Sequence, residues 1–455
     1  MAEDSGKQLH IVMLPWLAMG HLLPFFELSK RLAKNGHRVF FLSSPGNLRR
    51  LPSIPASISH LLELVPCPLP STEKLPAHVE STIDLPSYDV LPFLVQAYQS
   101  FEHQLANFLD EPSRPIKPDW IIYDTFGNRW VPTFATQHGL RCASFSVFNA
   151  AKLSFFGTKI DHESPEELTK VPEWIPFPTT VAFTPFEARQ CFPILQMISK
   201  ISARGQNNRG NFMAVKTCRE FEPEWLDLLG KILVGFPIVP VGFLPPSFDD
   251  DEESQPWVRI AAWLDRKEPS SVLYAAFGSE LKFTTEQIDE IASGLERSDV
   301  PFVWALREGC LPDGFEERVG DRGIVVEGWV PQARILSHSS IGGFLNHGGP
   351  SGIVEGLMAG VALVVLPMQF EQGLNARLLS EKGLGAEVFR DYEDGSFSGE
   401  EIARKVRMVM VEKEGEGLRA RARAGKEKFG NEEVQDRYVK ELANFMWENK
   451  VHQEP

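Results

Sequence analysis

Two groups of residues in this 455-residue chain have the types and spacing to do chemistry. The first is a pair: His21 in PWLAMGH, and Asp124 closing DWIIYD. An imidazole can take a proton near neutral pH, and a carboxylate can orient it and stabilise the imidazolium that forms. Each also has a plainer reading, His21 as a helix-start histidine bonded to backbone and Asp124 as a helix cap. The second group runs from Trp329 to Gln372, WVPQARILSHSSIGGFLNHGGPSGIVEGLMAGVALVVLPMQFEQ. Within it, HGGPSG separates a strand-like run from a helical one, so backbone N–H groups gather at the positive end of a helix dipole. That is a cradle for a phosphate or diphosphate. His347 stands at its entrance, where it could hydrogen-bond or help neutralise an anion. Trp329 offers a flat ring for stacking, and Glu355 a carboxylate to accept hydrogen bonds from vicinal hydroxyls. Taken singly, such a tryptophan serves the core and such a histidine the surface. Taken together, plate, nest and carboxylate describe a nucleotide-sugar site.

These residues need elements to hold them. Leu9–Trp16 is a short apolar run ending at a proline, as a buried parallel strand would. After it Leu22, Phe25, Phe26, Leu32 and Ala33 recur at helical spacing up to Asn35-Gly36, and VFFLSS starts a second strand. This is a βαβ unit, with His21 in the turn at the carboxyl edge where ligands bind. DWIIYD is another strand, bringing Asp124 to the same edge. In the second half SVLYAAFGSE, PFVWAL, IVVEGW, IGGFL and LVVLP read as strands. TEQIDEIASGLERS reads as an amphipathic helix capped by Thr284 or Thr285. The alternation implies a second doubly wound parallel sheet. Two stretches interrupt the pattern: residues 61–109, proline-rich and then helical, and residues 149–211, loop-rich with Phe155, Phe156, Trp174, Phe177, Phe183 and Phe186. Long excursions in an α/β domain usually face substrate, so these aromatics are candidates for an apolar acceptor pocket, many of them serving simply as core.

Composition narrows the function. The length fits two α/β domains rather than one core. We place an N-terminal domain at 1–243, an acidic proline-rich linker at 244–256, a C-terminal domain at 257–430, and a helix at 431–455 packing back on the first domain. A formal charge of −15 argues against nucleic acid or an anionic membrane as partner. Five widely spaced cysteines give neither a CxxC pair nor a disulfide framework, which suits a reducing compartment. The start MAEDSGKQ lacks a basic region before an apolar core, and IVMLPWLAM is too short to span a bilayer, so a cytoplasmic protein is expected. Asp249-Asp250-Asp251 invites a metal reading, but an acid run in a linker is usually solvated. No metal site is expected.

The stretch opening on Trp329-Val330-Pro331-Gln332 and closing on Glu371-Gln372 resembles the C-terminal signature box of plant family-1 UDP-glycosyltransferases. PWLAMGH resembles the same family's N-terminal motif, in the form found in the branch that extends the sugar chains of glycosides and includes family 91. WIIYD and EWIPFPTTV point to the same branch. The resemblance spans roughly Leu9 to Phe445. It implies a GT-B fold, two Rossmann-like doubly wound α/β domains facing across a cleft, and an inverting, metal-independent transfer that needs no cofactor beyond the UDP-sugar co-substrate. It makes His21 the general base and Asp124 its orienter. Ser279, His347 and the Gly349–Gly352 turn, with Pro350 and Ser351, would meet the diphosphate. Trp329 would stack on uracil, Gln332 and Glu355 hold ribose, and Glu371 with Gln372 bond the sugar. Gly20 and Val330 complete the donor contacts.

The chain departs from the family at the nest, with HGGPSG in place of HCGWNS. Pro350 has no N–H, and Gly352 lacks a hydroxyl that Ser351 could supply from one position earlier. Glu371 replaces the commoner Asp. The terminal Gln372 favours UDP-glucose; UDP-rhamnose is the rival donor. The expected acceptor is a terpenoid, steroid or flavonoid glycoside, and the enzyme is expected to be a monomer. An inactive nucleotide-sugar-binding protein is the competing class, supported by the altered nest and opposed by His21, Asp124 and Gln372.

Overall fold

The computed structural model describes residues 7–70, 72, 74–112, 117–159, 162–202, 209–245, 255–278 and 280–451. By their contacts they group into two units: Met1–Asp161 with Leu195–Ser247 and Glu432–Pro455, and His162–Ile194 with Phe248–Asn431. The Asp249-Asp250-Asp251 run lies outside the described residues. Segment His162–Ile194, placed by sequence in the N-terminal domain, groups instead with the second unit.

The first unit is built on a parallel sheet of β1 (His10–Leu14), β2 (Arg38–Ser43), β3 (Leu62–Pro66), β4 (Trp120–Tyr123), β5 (Arg141–Ser146), β6 (Met213–Val215) and β7 (Ile238–Pro240). Their spatial order is β3-β2-β1-β4-β5-β6-β7. Both faces are covered, and the period-two pleat shows it: Ile11 and Met13 enter one core with Phe25, Phe26 and Trp120, while Val12 and Leu14 enter another with Tyr98 and Tyr123. The order reverses between β1 and β4, the switch point where such sheets bind ligands. Helix Met19–Lys34 follows β1 and ends at Asn35, as the periodicity predicts. Near the other end of the chain, helix Glu432–Glu448 returns to this unit. Its Val439, Leu442 and Met446 join the core of β1, and Trp120 donates its indole N–H to the Met446 carbonyl at 3.0 Å.

The second unit repeats the plan with β8 (Val272–Ala275), β9 (Phe302–Leu306), β10 (Gly323–Glu327), β11 (Ile341–Asn346), β12 (Ala362–Val365) and β13 (Gly385–Glu387), ordered β10-β9-β8-β11-β12-β13. Its switch point lies between β8 and β11. Helix Thr285–Ser298 is capped by Thr284, not Thr285, because Gln287 three residues on completes a capping box. The excursion read as loop-rich holds an 18-residue helix, Pro185–Ser202, that the embedded Pro193 obscures in the sequence. Phe155 and Phe183 are buried, and Trp174 is exposed. Among the described residues no helix is long and apolar enough to cross a membrane, and no group of His, Cys, Asp or Glu could hold a metal ion.

Candidate active site

β1 and β4 flank the first switch point, and each delivers one side chain to it. His21 sits in the first turn of the helix after β1, beside exposed Gly20. Asp124 directly follows β4 and is 1% exposed. His21 Nδ1 and Asp124 Oδ2 lie 2.8 Å apart. The same carboxylate accepts from the Thr125 N–H at 2.6 Å and the Trp16 N–H at 3.4 Å. The two readings of Asp124 are therefore both satisfied, with one oxygen capping the 3-10 turn Thr125–Arg129 and the other facing the imidazole. A carboxylate on Nδ1 keeps that nitrogen protonated and leaves the lone pair on Nε2, the tautomer a general base needs. Phe148 meets the imidazole edge-on, ring centres 5.4 Å apart, and further restrains it. The His21 side chain retains 15% of its exposure, enough to meet a substrate hydroxyl.

At the second switch point, Gly278 follows β8 and the HGGPSG loop follows β11. Gly348 adopts φ +82°, the left-handed region that glycine reaches without strain. Its N–H donates to Asn346 Oδ1 at 2.8 Å, and its carbonyl accepts from Asn375 Nδ2 at 2.9 Å. Gly349 is the N-cap and Pro350 the first residue of helix Pro350–Ala359, where a missing N–H costs no helical bond. The N–H groups of Ser351 and Gly352 lie in the first turn, without acceptors inside the helix. The His347 ring packs between two glycines: a Cβ on Gly278 would come 2.7 Å from its Cε1, and one on Gly349 2.4 Å from its Nε2. Burial holds His347 down at about 4, the Glu371 carboxylate pulling weakly the other way, and its buried Nδ1 has no hydrogen-bond partner. His347 is thus a neutral imidazole at pH 7. An anion placed against it would oppose the effect of burial and favour the imidazolium, so both roles expected of it, hydrogen-bonding and neutralising, stay open to it. Ser279 lies outside the described residues.

Trp329 follows β10 and is 68% exposed, an open ring face, whereas its neighbour Val330 is buried. Gln332 opens helix Gln332–Ser337 and donates its amide to Glu355 Oε2 at 2.6 Å, while Tyr274 donates its hydroxyl to Gln332 Oε1 at 3.2 Å. These side chains form a linked row from β8 to the helix after β11. Glu371 is the N-cap of helix Gln372–Glu381, and both Glu371 and Gln372 are buried. The Gln372 Oε1 accepts from the N–H groups of Met368 and Gln369, each at 2.9 Å. Its side-chain carbonyl is spent on the turn, and its NH2 is the part left to meet a ligand.

Sequence reasoning missed Tyr274, Asn346, Asn375 and Phe148. The signal for Asn375 was present: it lies one helical turn after Glu371, on the same face, so it reaches back to the loop that holds the nest.

The family model described as UDP-glucoronosyl and UDP-glucosyl transferase matches residues 260–414. UDP-glycosyltransferase 91C1 of Arabidopsis thaliana is 42% identical over 458 residues, covering 98% of each chain. Soyasaponin III rhamnosyltransferase of Glycine max is 38% identical over 474 residues, covering 99% of this chain and 98% of its own. Among solved structures, that of Arabidopsis thaliana UGT89C1 complexed with UDP-L-rhamnose aligns at TM-score 0.76 and 25% identity, covering 97% of this chain and all of that one.

Proposed function

This chain belongs to the plant family-1 UDP-glycosyltransferases and has their GT-B fold, and from that premise we propose that it transfers glucose from UDP-glucose, with inversion, to a hydroxyl of a small-molecule glycoside of the terpenoid, steroid or flavonoid kind. The observation that carries the mechanism is the buried Asp124 carboxylate 2.8 Å from His21 Nδ1. His21 Nε2 takes the proton of the acceptor hydroxyl as that oxygen attacks the anomeric carbon. The bond from that carbon to the diphosphate breaks, and the electron pair leaves with UDP. Asp124 compensates the imidazolium that results. Charge developing on the departing diphosphate meets the first-turn N–H groups of helix Pro350–Ala359 and His347, donors already in place before reaction. Trp329 stacks on the uracil, the Gln332–Glu355 pair holds the ribose, and Glu371 with the Gln372 amide reads the sugar.

UDP-rhamnose is the second donor reading. What favours it is the similarity, at 38% identity, to a protein named as a rhamnosyltransferase, and to a structure that holds UDP-L-rhamnose. Offering UDP-glucose, UDP-rhamnose, UDP-xylose and UDP-galactose against a panel of glycosylated acceptors, with mass spectrometry of products, decides between them. A hexose gain from UDP-glucose is the expected result, and a deoxyhexose gain would replace the donor while keeping the mechanism. UDP binding without any product would instead favour an inactive nucleotide-sugar-binding protein.

A further inference from the structure

The turn between β12 and helix Gln372–Glu381 presents the two proposed sugar-reading residues, and it is strained. Phe370, immediately before Glu371, has φ +54°. A side chain in the left-handed region persists only where its surroundings hold it. The holding groups come from a distant part of the sequence, helix Pro185–Ser202, whose first half belongs to the second unit. Cys191 is buried, and its Sγ donates to the Phe370 carbonyl at 3.3 Å. Glu187, one helical turn earlier on the same face, lies 3.0 Å from Arg377 Nη1 and also bonds Arg377 Nη2 at 3.2 Å. Arg377 stands on the helix that begins at Gln372, and its Nη2 reaches Glu387 at 3.1 Å as well. Phe186 lies beneath the Arg390 guanidinium, 5.0 Å from ring centre to Cζ. Arg390 in turn donates to the carbonyls of Pro367 at 2.7 Å and Met368 at 3.2 Å, the start of the same turn.

Two side chains of one short segment, Cys191 and Glu187, therefore meet residues 370 and 377 directly, and a third, Phe186, reaches the turn through Arg390. A cavity of about 440 Å3 adjoins them. Its wall groups Glu187, Arg377, Glu387 and Arg390 bond chiefly to one another and to backbone carbonyls, with Arg377 Nη1 close to Glu187 but making no directed hydrogen bond, which makes them a brace more than a set of ligand donors.

We propose that Cys191 and Glu187 are positioning residues for donor-sugar recognition, holding through the Phe370 carbonyl and Arg377 the turn that presents Glu371 and Gln372. The proposal rests on the donor-binding reading of those two residues. It changes the meaning of the excursion around residue 190. A stretch whose place in the sequence suggested acceptor contact carries, on the face that bears Glu187 and Cys191, a determinant of the sugar. The Trp329 plate lies outside this brace, and the nest at Gly348–Gly352 meets the braced helix through Asn375, whose amide donates to the Gly348 carbonyl at 2.9 Å, so the uridine diphosphate part of the donor depends on the brace less than the sugar does.

The test is calorimetric titration of UDP, UDP-glucose and UDP-rhamnose into the full-length wild type and the Cys191→Ala, Cys191→Ser and Glu187→Gln variants. Loss of one buried hydrogen bond at the turn predicts that Cys191→Ala weakens the bound UDP-sugar about tenfold relative to UDP. UDP affinity should stay within about twofold of wild type on the same grounds. Cys191→Ser, whose hydroxyl can donate to the same carbonyl, should restore most of the loss. Glu187→Gln, which keeps the shape and leaves Arg377 its partner Glu387, should move the same ratio in the same direction. Equal weakening of UDP and UDP-sugar in both the alanine and the glutamine variants, or no change in either, overturns the positioning role. Wild type that binds no UDP at all would overturn the donor-site reading itself, a distinct failure.

Discussion

Glu387 and His347 are the two residues whose burial moves them furthest across the physiological pH range, and they move in opposite senses. Glu387, held in the wall beside Arg377, is raised to about 7, chiefly by burial and further by Glu187, with Arg377 and Lys405 opposing. A carboxyl whose folded-state value lies above its ordinary 4.5 contributes stability below about 4.5 and loses it as pH rises towards 7. His347, lowered from 6.5 to about 4, does the reverse: its contribution is present above 6.5 and lost as pH falls towards 4. Between about 4.5 and 6.5 the two slopes offset each other. Glu387→Gln removes one of them. The variant should therefore gain on wild type as pH rises from 4.5 to 7, by up to about 3 kcal/mol if the whole shift is realised. Thermal melts of both proteins across that range check the sign. A variant-minus-wild-type stability that stays constant or falls with rising pH would contradict the environment assigned to Glu387.

At the scale of elements, the strands that carry chemistry were legible because parallel strands buried on both faces read as uninterrupted apolar runs. β1, β4, β8, β11 and β12 all fall where the sequence predicts, and with them the loops that bear Asp124 and His347, whereas His21, expected in the turn, and Gln372 stand in the first turns of the helices that follow β1 and β12. Helix Pro185–Ser202 was not legible. Pro193 breaks the pattern, and the residues that matter on it, Glu187 and Cys191, are matched to partners about 180 residues away. No local periodicity records such a pairing. The roles of Gln332 and Gln372 were only half legible for the same reason. Their residue types announce hydrogen bonding, but the commitment of Gln372 Oε1 to two backbone N–H groups appears only when the turn is folded. Helix Glu432–Glu448 makes an element-level prediction. Val439, Leu442 and Met446 are each fully buried in the first unit, and burying such side chains is worth roughly 1.5–3 kcal/mol apiece. Their sum approaches the whole stability of a typical domain, and Trp120 would also lose the acceptor for its indole N–H. Ending the chain at Asn431 should raise proteolytic cleavage sharply within residues 10–240. Unchanged protection there would show that the helix is dispensable to its unit.

For the molecule as a whole, the two sheets share one logic. Each is parallel, each reverses its strand order once, and each sets its chemistry at that reversal: an acid–base pair between β1 and β4, a Gly-rich nest between β8 and β11. On the proposed reading, one unit supplies the proton acceptor and the other the groups that bind the leaving diphosphate. The measurement that bears most directly on this account is the His21→Ala variant, compared with wild type for transfer and for UDP affinity on the same preparation. Loss of a general base should lower kcat/KM by about 10²–10⁴-fold, and UDP affinity should remain within about twofold because no donor contact has been touched. A variant that still transfers sugar at the wild-type rate, or one that loses UDP binding and transfer in equal measure, would contradict the assignment of His21 as the base.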